Sequence, residues 1–193
     1  MTAKKHNGKH HNGNGNGDFF AETKAILDKI AQRQEEFEVW KKNHDKQMGE
    51  LSQKLGTLVE DFVIPDMANM LLAVDPSINE DDIIVNARVK RRHPITRQQI
   101  EMDTIADGGQ VVLVNETKNS LKIEYIDNFL SRLATFKEFF KEYQDFRLYG
   151  MVSSLYVDPS VVTYGQRQGL LVVALKPGLL QVLNEKGFMP KEF

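Results

Sequence analysis

From Asp18 onward, marked positions recur along the chain at steps of mostly three and four: Ile26, Ile30, Phe37, Trp40, His44, Met48, Leu51, Leu55, Leu58 and Phe62. The series has a gap at Arg33 and a stutter near Met48. Such a narrow stripe on a long charged helix has two readings, a coiled-coil seam or a helix packed back on its own domain. The helical pattern continues over Leu55–Ala73, with Leu58, Phe62, Ile64 or Val63, Met67, Met70 and Leu71 as the buried side and Pro65 as a kink. Beyond the Asp75-Pro76-Ser77 loop the period changes. Ile83–Lys90 reads as a strand, and two alternating segments flank Gly108-Gly109 as a hairpin. A helix is predicted from about Glu124 to Tyr143, with Ile126, Phe129, Leu130, Leu133, Phe136 and Phe140 on one face. Arg147–Tyr156 reads as a strand, and Pro159–Gln168 as a helix opened by Asp158 with proline in its first turn. Leu170–Leu175 and Leu179–Leu183 complete the sheet. Strands alternating with helices of this length predict an α/β domain with a mixed sheet.

Composition divides the 193 residues into three parts. Residues 1–17 form a His/Asn/Gly tract that cannot build a core, and its His6, His10 and His11 read as part of a hydrated tail. Residues 18–54 are the charged helix and 55–193 the globular domain. A net charge of −2 gives no global basic field, which argues against a protein that coats nucleic acid non-specifically. The absence of cysteine excludes disulfides, cysteine zinc sites and thiol catalysis. No apolar run approaches the length of a membrane span and no signal peptide is visible, so the expected setting is cytoplasmic.

The chemistry concentrates at the hairpin. Glu101 and Asp103 share a strand face with Ile105, as Val112 and Val114 do with Glu116 and Lys118. With a two-residue turn at Gly108-Gly109, Asp103 pairs with Val114 and Glu101 with Glu116. Asp103 and Glu116 are then diagonal neighbours roughly 7–8 Å apart at the backbone, within reach of one ion. Opposed carboxylates are unfavourable without a cation between them. Mg²⁺ takes carboxylate oxygens and water, polarises a phosphodiester and lowers the pKa of a bound water. A lysine beside it orients that water or neutralises charge developing on the phosphate. Asp103 and Glu116 fit as metal ligands and Lys118 as the water- or phosphate-contacting group. An exposed hairpin with solvated charges has the same spacing, so spacing alone leaves both open.

Ile100-Glu101-Met102-Asp103 followed by Val111-Val112-Leu113-Val114-Asn115-Glu116-Thr117-Lys118 resembles the core of the PD-(D/E)xK superfamily, the restriction-endonuclease-like nucleases. The stretch from about Leu55 to Phe193 is similar to a microbial branch of that superfamily whose members carry a charged helical segment in front. Leu55–Phe62, Arg147–Val152 and Gly169–Val173 also match. The resemblance implies an α-β-β-β-α-β core, with the metal-binding aspartate on the second strand and E-x-K on the third. It implies a Mg²⁺- (or Mn²⁺-) dependent nuclease acting on DNA, with Asp103, Glu116 and Lys118 at its centre. A glutamate on the first helix, here Glu60, and Glu101 would serve as auxiliary acids, Glu101 also toward the metal. No proline precedes Asp103, and Asn115 and Thr117 stand where hydrophobic residues are frequent.

Lys90-Arg91-Arg92-His93 and Arg97, in the loop leading to the Asp103 strand, are the candidates for holding a phosphate backbone. Lys122, Arg132, Lys137 and Lys141 are weaker ones. Ser153, Ser154 and Tyr156 have no histidine–acid partner in a hydrolase pattern, and Asp107-Gly108-Gly109 does not open a helix as a phosphate loop does. Two functions are therefore carried forward. One is a Mg²⁺-dependent DNA nuclease that oligomerises through its helix; the other is a catalytically silent nuclease-like scaffold acting through that same helix.

Overall fold

The protein is described here from a computed structural model, which places residues 15–176 and 179–193, with side chains from Phe20 onward except Leu179. The expected tail residues His6, His10 and His11 lie outside that range. The element order is α1 (Gly15–Val63), a 3₁₀ turn (Ile64–Asp66), α2 (Met67–Val74), β1 (Ile84–Arg92), β2 (Gln99–Asp107), β3 (Val111–Ser120), α3 (Ile123–Phe139), β4 (Arg147–Tyr156), α4 (Pro159–Arg167), β5 (Leu171–Lys176) and β6 (Leu179–Val182). The chain divides into two units between Glu50 and Leu51.

In the second unit six strands lie side by side in chain order. β1, β2 and β3 form an antiparallel meander. β3, β4 and β5 run parallel, joined by α3 and α4, and β6 returns antiparallel. One face packs Ile126, Phe129, Leu133 and Phe136 of α3 and Val161 of α4 against Val112, Val114, Val152 and Val172. The other packs Val59 and Val63 of α1 and Met67 and Leu71 of α2 against Leu113, Met151 and Val173. Central strands covered on both faces need continuous apolar runs, as Val111–Val114 and Leu171–Ala174 supply. The α-β-β-β-α-β order that the resemblance implies is present. Asp158 caps α4 as expected, its Oδ1 accepting the Ser160 N–H at 2.8 Å, with Pro159 in the first turn.

Three expectations are corrected. Pro65 stands in a 3₁₀ turn rather than at a simple kink, and of the expected buried side Val63 is buried, with Val59 beside it one turn earlier, while Leu58 and Phe62 are 47% and 51% exposed. Two apolar series, 58/62 and 59/63, run side by side on this helix, and the sheet takes the β-branched one. Next, the hairpin turn sits one residue later than predicted. The Gly108 N–H donates to the Val111 carbonyl at 2.9 Å, leaving Gly109 (φ +85°) and Gln110 as the turn. Gly108 lies against Leu71 of α2 and Ile78 beyond it, and a Cβ there would come within 3.2 Å of Leu71 and 2.9 Å of Ile78. Finally, β1 runs past the predicted end at Lys90 to include Arg91 and Arg92, and the connection is only His93–Gln98, closed by a bond from the His93 N–H to the Gln98 carbonyl.

Candidate active site

The later turn moves the register by two residues, so that Asp107 pairs with Val112, Ile105 with Val114 and Thr104 with Asn115. Continued, that register sets Asp103 directly across from Glu116, closer than the diagonal placement predicted, and Glu101 no longer faces Glu116. The β2–β3 ladder stops at Thr104–Asn115. Below it β2 stays with β1 through Gln99, while β3 stays with β4 through Ser120. The strands therefore fork, and Asp103 and Glu116 stand where the fork opens.

A second irregularity turns Asp103. Ala87 pairs with Thr104 and Val89 with Met102, leaving Arg88 and Asp103 as the skipped pair, with Arg88 at φ +53°. On either side of it the ribbon exchanges faces. Val85 and Ala106 pack on the α2 side, whereas Val89 and Met102 pack on the α3 side. Regular alternation cannot place Met102 and Ile105, three residues apart, on one face. The predicted common face of Glu101, Asp103 and Ile105 is broken at this point. That of Val112, Val114, Glu116 and Lys118 is intact: the two valines lie in the α3-side core, and α3 reaches both charges.

Glu116 is 4% exposed and held from two directions. Lys118 Nζ donates to its Oε1 at 2.5 Å and to the Thr117 carbonyl at 3.1 Å. From α3, Arg132 Nη2 lies 2.7 Å from Oε2, close enough for an ion pair but out of line for a hydrogen bond, so Oε2 has no hydrogen-bond donor. Asp103 is part-buried, and its Oδ2 accepts the Thr117 N–H at 2.7 Å, a cross-strand tie where the ladder has ended. Among the described residues no cation forms an ion pair with it. Burial and then the neighbouring Glu116 charge push its pKa up to about 6, against the pull of the Thr117 N–H and Lys118.

The remaining expected residues divide. Glu60 on α1 is near enough for its charge to act on Asp103, yet its Oε2 is taken by Arg88 Nε at 2.9 Å. Arg88 also reaches Asp61 at 3.2 Å. Glu101 is not brought into the group: its carboxylate pairs with Lys90 at 3.2 Å. Arg91 pairs with Glu142 and lies over the Phe140 ring. Arg92 and Arg97 are exposed and, among the described residues, make no ion pair. Asn115 and Thr117 face the other way from Glu116: Asn115 Nδ2 donates to Thr117 Oγ1 at 3.0 Å, which bonds Ser153 Oγ at 3.0 Å in a buried row. Arg132, a weak phosphate candidate by sequence, is the residue whose importance sequence reasoning understated. Its one signal was a lone arginine flanking the buried Phe129/Leu133 face of its helix.

Among the described residues no three His, Asp or Glu side chains cluster tightly enough to hold a metal by themselves. The carboxylates available together are Asp103 and Glu116. That number suits Mg²⁺, which keeps most of its waters and is bound through one or two carboxylates plus substrate phosphate.

No family model matches the chain, and no curated protein does. Solved structures do. A repair endonuclease from Pyrococcus abyssi aligns over 58% of this chain and 46% of its own, with 16% identity and a TM-score of 0.35. A structure of an EndoMS–dsDNA2 complex aligns over 60% of this chain and 45% of its own, with 14% identity and a TM-score of 0.34. The aligned region is less than half of either of those chains.

Proposed function

We propose that this chain is a metal-dependent nuclease that hydrolyses phosphodiester bonds of DNA. Asp103 and Glu116 would hold Mg²⁺ or Mn²⁺, and Lys118 would support the attacking water. The observation that carries this reading is the pair of carboxylates at the fork. Burial and then the Glu116 charge raise Asp103 to about 6, while buried Glu116 Oε2 meets only the Arg132 guanidinium, at 2.7 Å and out of line for a hydrogen bond. Two acids pinned against each other in this way are a site for divalent charge. A bound cation supplies Lewis acidity toward the phosphodiester and acidifies a coordinated water. The chain's own residues do the rest. Lys118 Nζ, bonded to Glu116 and the Thr117 carbonyl, has one N–H left for a water or a phosphate oxygen. Glu60 adds negative charge from α1. Lys90, Arg91, Arg92 and Arg97 lie at the outer end of the β1–β2 ribbon, and Arg92 and Arg97 would hold the backbone of the strand.

Self-association through α1 and a cytoplasmic setting belong to the same reading. Ile26, Ile30, Phe37, Trp40, Met48, Leu51, Leu55, Leu58 and Phe62 are all exposed, Phe37 and Trp40 at 58% each. Leu58 and Phe62 point away even where the helix packs on the sheet, which disfavours a seam meant for its own domain. The occupant we propose is a second copy. Glu36 and Lys41 flank the stripe at the spacing that pairs g and e positions of two parallel helices. No helix among the described residues is long and apolar enough to cross a membrane.

One observation favours the silent-scaffold alternative: Glu116 is neutralised internally by Lys118 and Arg132. A cleavage assay separates the two. Plasmid, linear duplex, single-stranded and branched DNA are incubated with Mg²⁺ or Mn²⁺ and wild type, Asp103→Ala or Lys118→Ala protein. Metal-dependent cutting lost in both variants is the expected result. Cutting that persists in the variants removes the site assignment, and no cutting with no metal binding leaves the scaffold.

A further inference from the structure

We infer that Arg132 is an internal counter-ion, displaced from Glu116 by the divalent cation and then available to a substrate phosphate. The inference rests on the nuclease reading above. Arg132 spans the fork: Nη1 donates to the Glu101 carbonyl on β2 at 2.9 Å, while Nη2 faces Glu116 Oε2 on β3 at 2.7 Å. Its helix is anchored by buried Phe129 and Leu133, and the guanidinium sits 5.7 Å from the Phe129 ring centroid. The base of the side chain is therefore fixed and only its end is free to change partners.

The charges are lopsided. Glu116 has two cations and Asp103 has none in ion-pair contact. A divalent cation drawing on both carboxylates competes with Arg132 for Oε2, the oxygen with which the guanidinium makes only a misaligned contact. Once that carboxylate is shared with a metal, the guanidinium meets a like charge and loses its partner. Its outlet is already formed. Arg132 lines a groove of about 460 Å³ with His93, Gln99, Thr135 and Phe139, between the β1–β2 ribbon and α3, where among the described residues it is the one arginine beside the carboxylates of Glu101 and Glu138. Arg132 is 29% exposed, and the Glu101 carbonyl takes only one of its five N–H donors. A planar guanidinium binds a phosphate through two parallel N–H groups, which a lysine in its place cannot do. The groove is thus assigned to the backbone of the bound strand, with Arg132 at its inner end.

A substitution here should move two affinities in opposite directions, which loss of a merely structural contact does not. Mn²⁺ binding without nucleic acid is measured by calorimetry on full-length wild type, Arg132→Gln and Arg132→Lys. Binding of a duplex oligonucleotide is measured on the same proteins with Ca²⁺. Removing a competing cation beside a carboxylate should tighten Mn²⁺ about tenfold or more in Arg132→Gln, while DNA binding falls by a similar factor. Arg132→Lys keeps the charge, so its Mn²⁺ affinity should stay near wild type while DNA binding still falls. Mn²⁺ affinity unchanged or weaker in Arg132→Gln, with wild type binding normally, overturns the inference and leaves the nuclease reading standing. Loss of both affinities in both variants with a lowered melting temperature assigns Arg132 a structural role and also overturns it. No Mn²⁺ binding by wild type or either variant overturns both readings.

Discussion

Asp103→Asn should stabilise the metal-free protein at neutral pH, against the usual effect of replacing a residue held by a buried hydrogen bond. Burial and the Glu116 charge raise the Asp103 pKa from its ordinary 3.8 to about 6. A group raised in the folded state binds its proton more tightly there than in the unfolded chain. Its favourable contribution is complete below pH 3.8, declines as pH rises and is gone above about 6. At about 1.4 kcal/mol for each tenfold change in proton affinity, ionising Asp103 costs the fold about 3 kcal/mol by neutral pH. Asparagine keeps an oxygen to accept the Thr117 N–H and carries no charge, so the variant escapes that cost. Melting in EDTA across acid to mildly alkaline pH should show the two proteins nearly coincident below pH 4. The gap should open toward pH 6 and then hold, the variant melting about 5–15 °C higher. Mg²⁺ should close the gap from the other side: at a hundredfold excess over its dissociation constant it adds about 2.7 kcal/mol to wild type alone. A difference independent of pH, or a variant that melts lower at pH 8, refutes the claim that repulsion and burial are held at this position.

Replacing Phe37 and Trp40 together by glutamate should convert a sedimenting dimer to a monomer; wild type that is monomeric at high concentration removes the second copy as occupant of the stripe. Gly108→Val should destabilise the domain by about 1–3 kcal/mol in urea unfolding, because its side chain must displace Ile78 and Leu71; no change would mean that the α2 contact does not fix the turn. Asp75 is held down to about 2, first by the Ser77 hydroxyl, then by the Ser77 N–H and by Arg147. A depressed carboxylate stabilises above its ordinary pKa and loses that contribution as pH falls toward 2, so Asp75→Asn should melt lower than wild type at neutral pH and match it in strong acid. A constant deficit at every pH would assign Asp75 a purely steric role.

Elements were legible in the sequence wherever period and boundary agreed. Arg147–Tyr156 is a strand with the predicted limits, and Asp158-Pro159 opens its helix. What decided the rest was tertiary. Gly108-Gly109-Gln110 offers two positions for a two-residue turn. The later one is accompanied by the Asp107 carboxylate accepting the Gly109 N–H at 2.8 Å and by Ile78 and Leu71 packed against Gly108, with Gly109 at positive φ. That single residue changes what the continued register sets opposite Asp103, from Val114 to Glu116. The buried phase of α1 was hidden for a similar reason, since Leu58/Phe62 and Val59/Val63 are both apolar series. Arg132 was illegible as a partner of Glu116 because it arrives on the next helix, and E-x-K spacing says nothing of what crosses above it.

The fork explains how two repelling acids persist at one place. In a continuous ladder the backbone groups around Asp103 and Glu116 would pair with each other, and the side chains would choose their own separation. Here β2 is held by β1 and β3 by β4, so each carboxylate is positioned by a different neighbour. The skipped Arg88–Asp103 pair turns Asp103 without breaking either ribbon, because pairing resumes with the same offset on both sides. The Thr117 N–H, free of the ladder at the fork, then fixes the Asp103 carboxylate against β3. Relief by moving apart would require the β2 or β3 core residues Met102, Ile105, Val112 and Val114, all 2% exposed or less, to leave their packing. Lys118 and Arg132 neutralise Glu116, and among the described residues Asp103 is left without an ion pair, so the repulsion between the two acids is relieved on one side only.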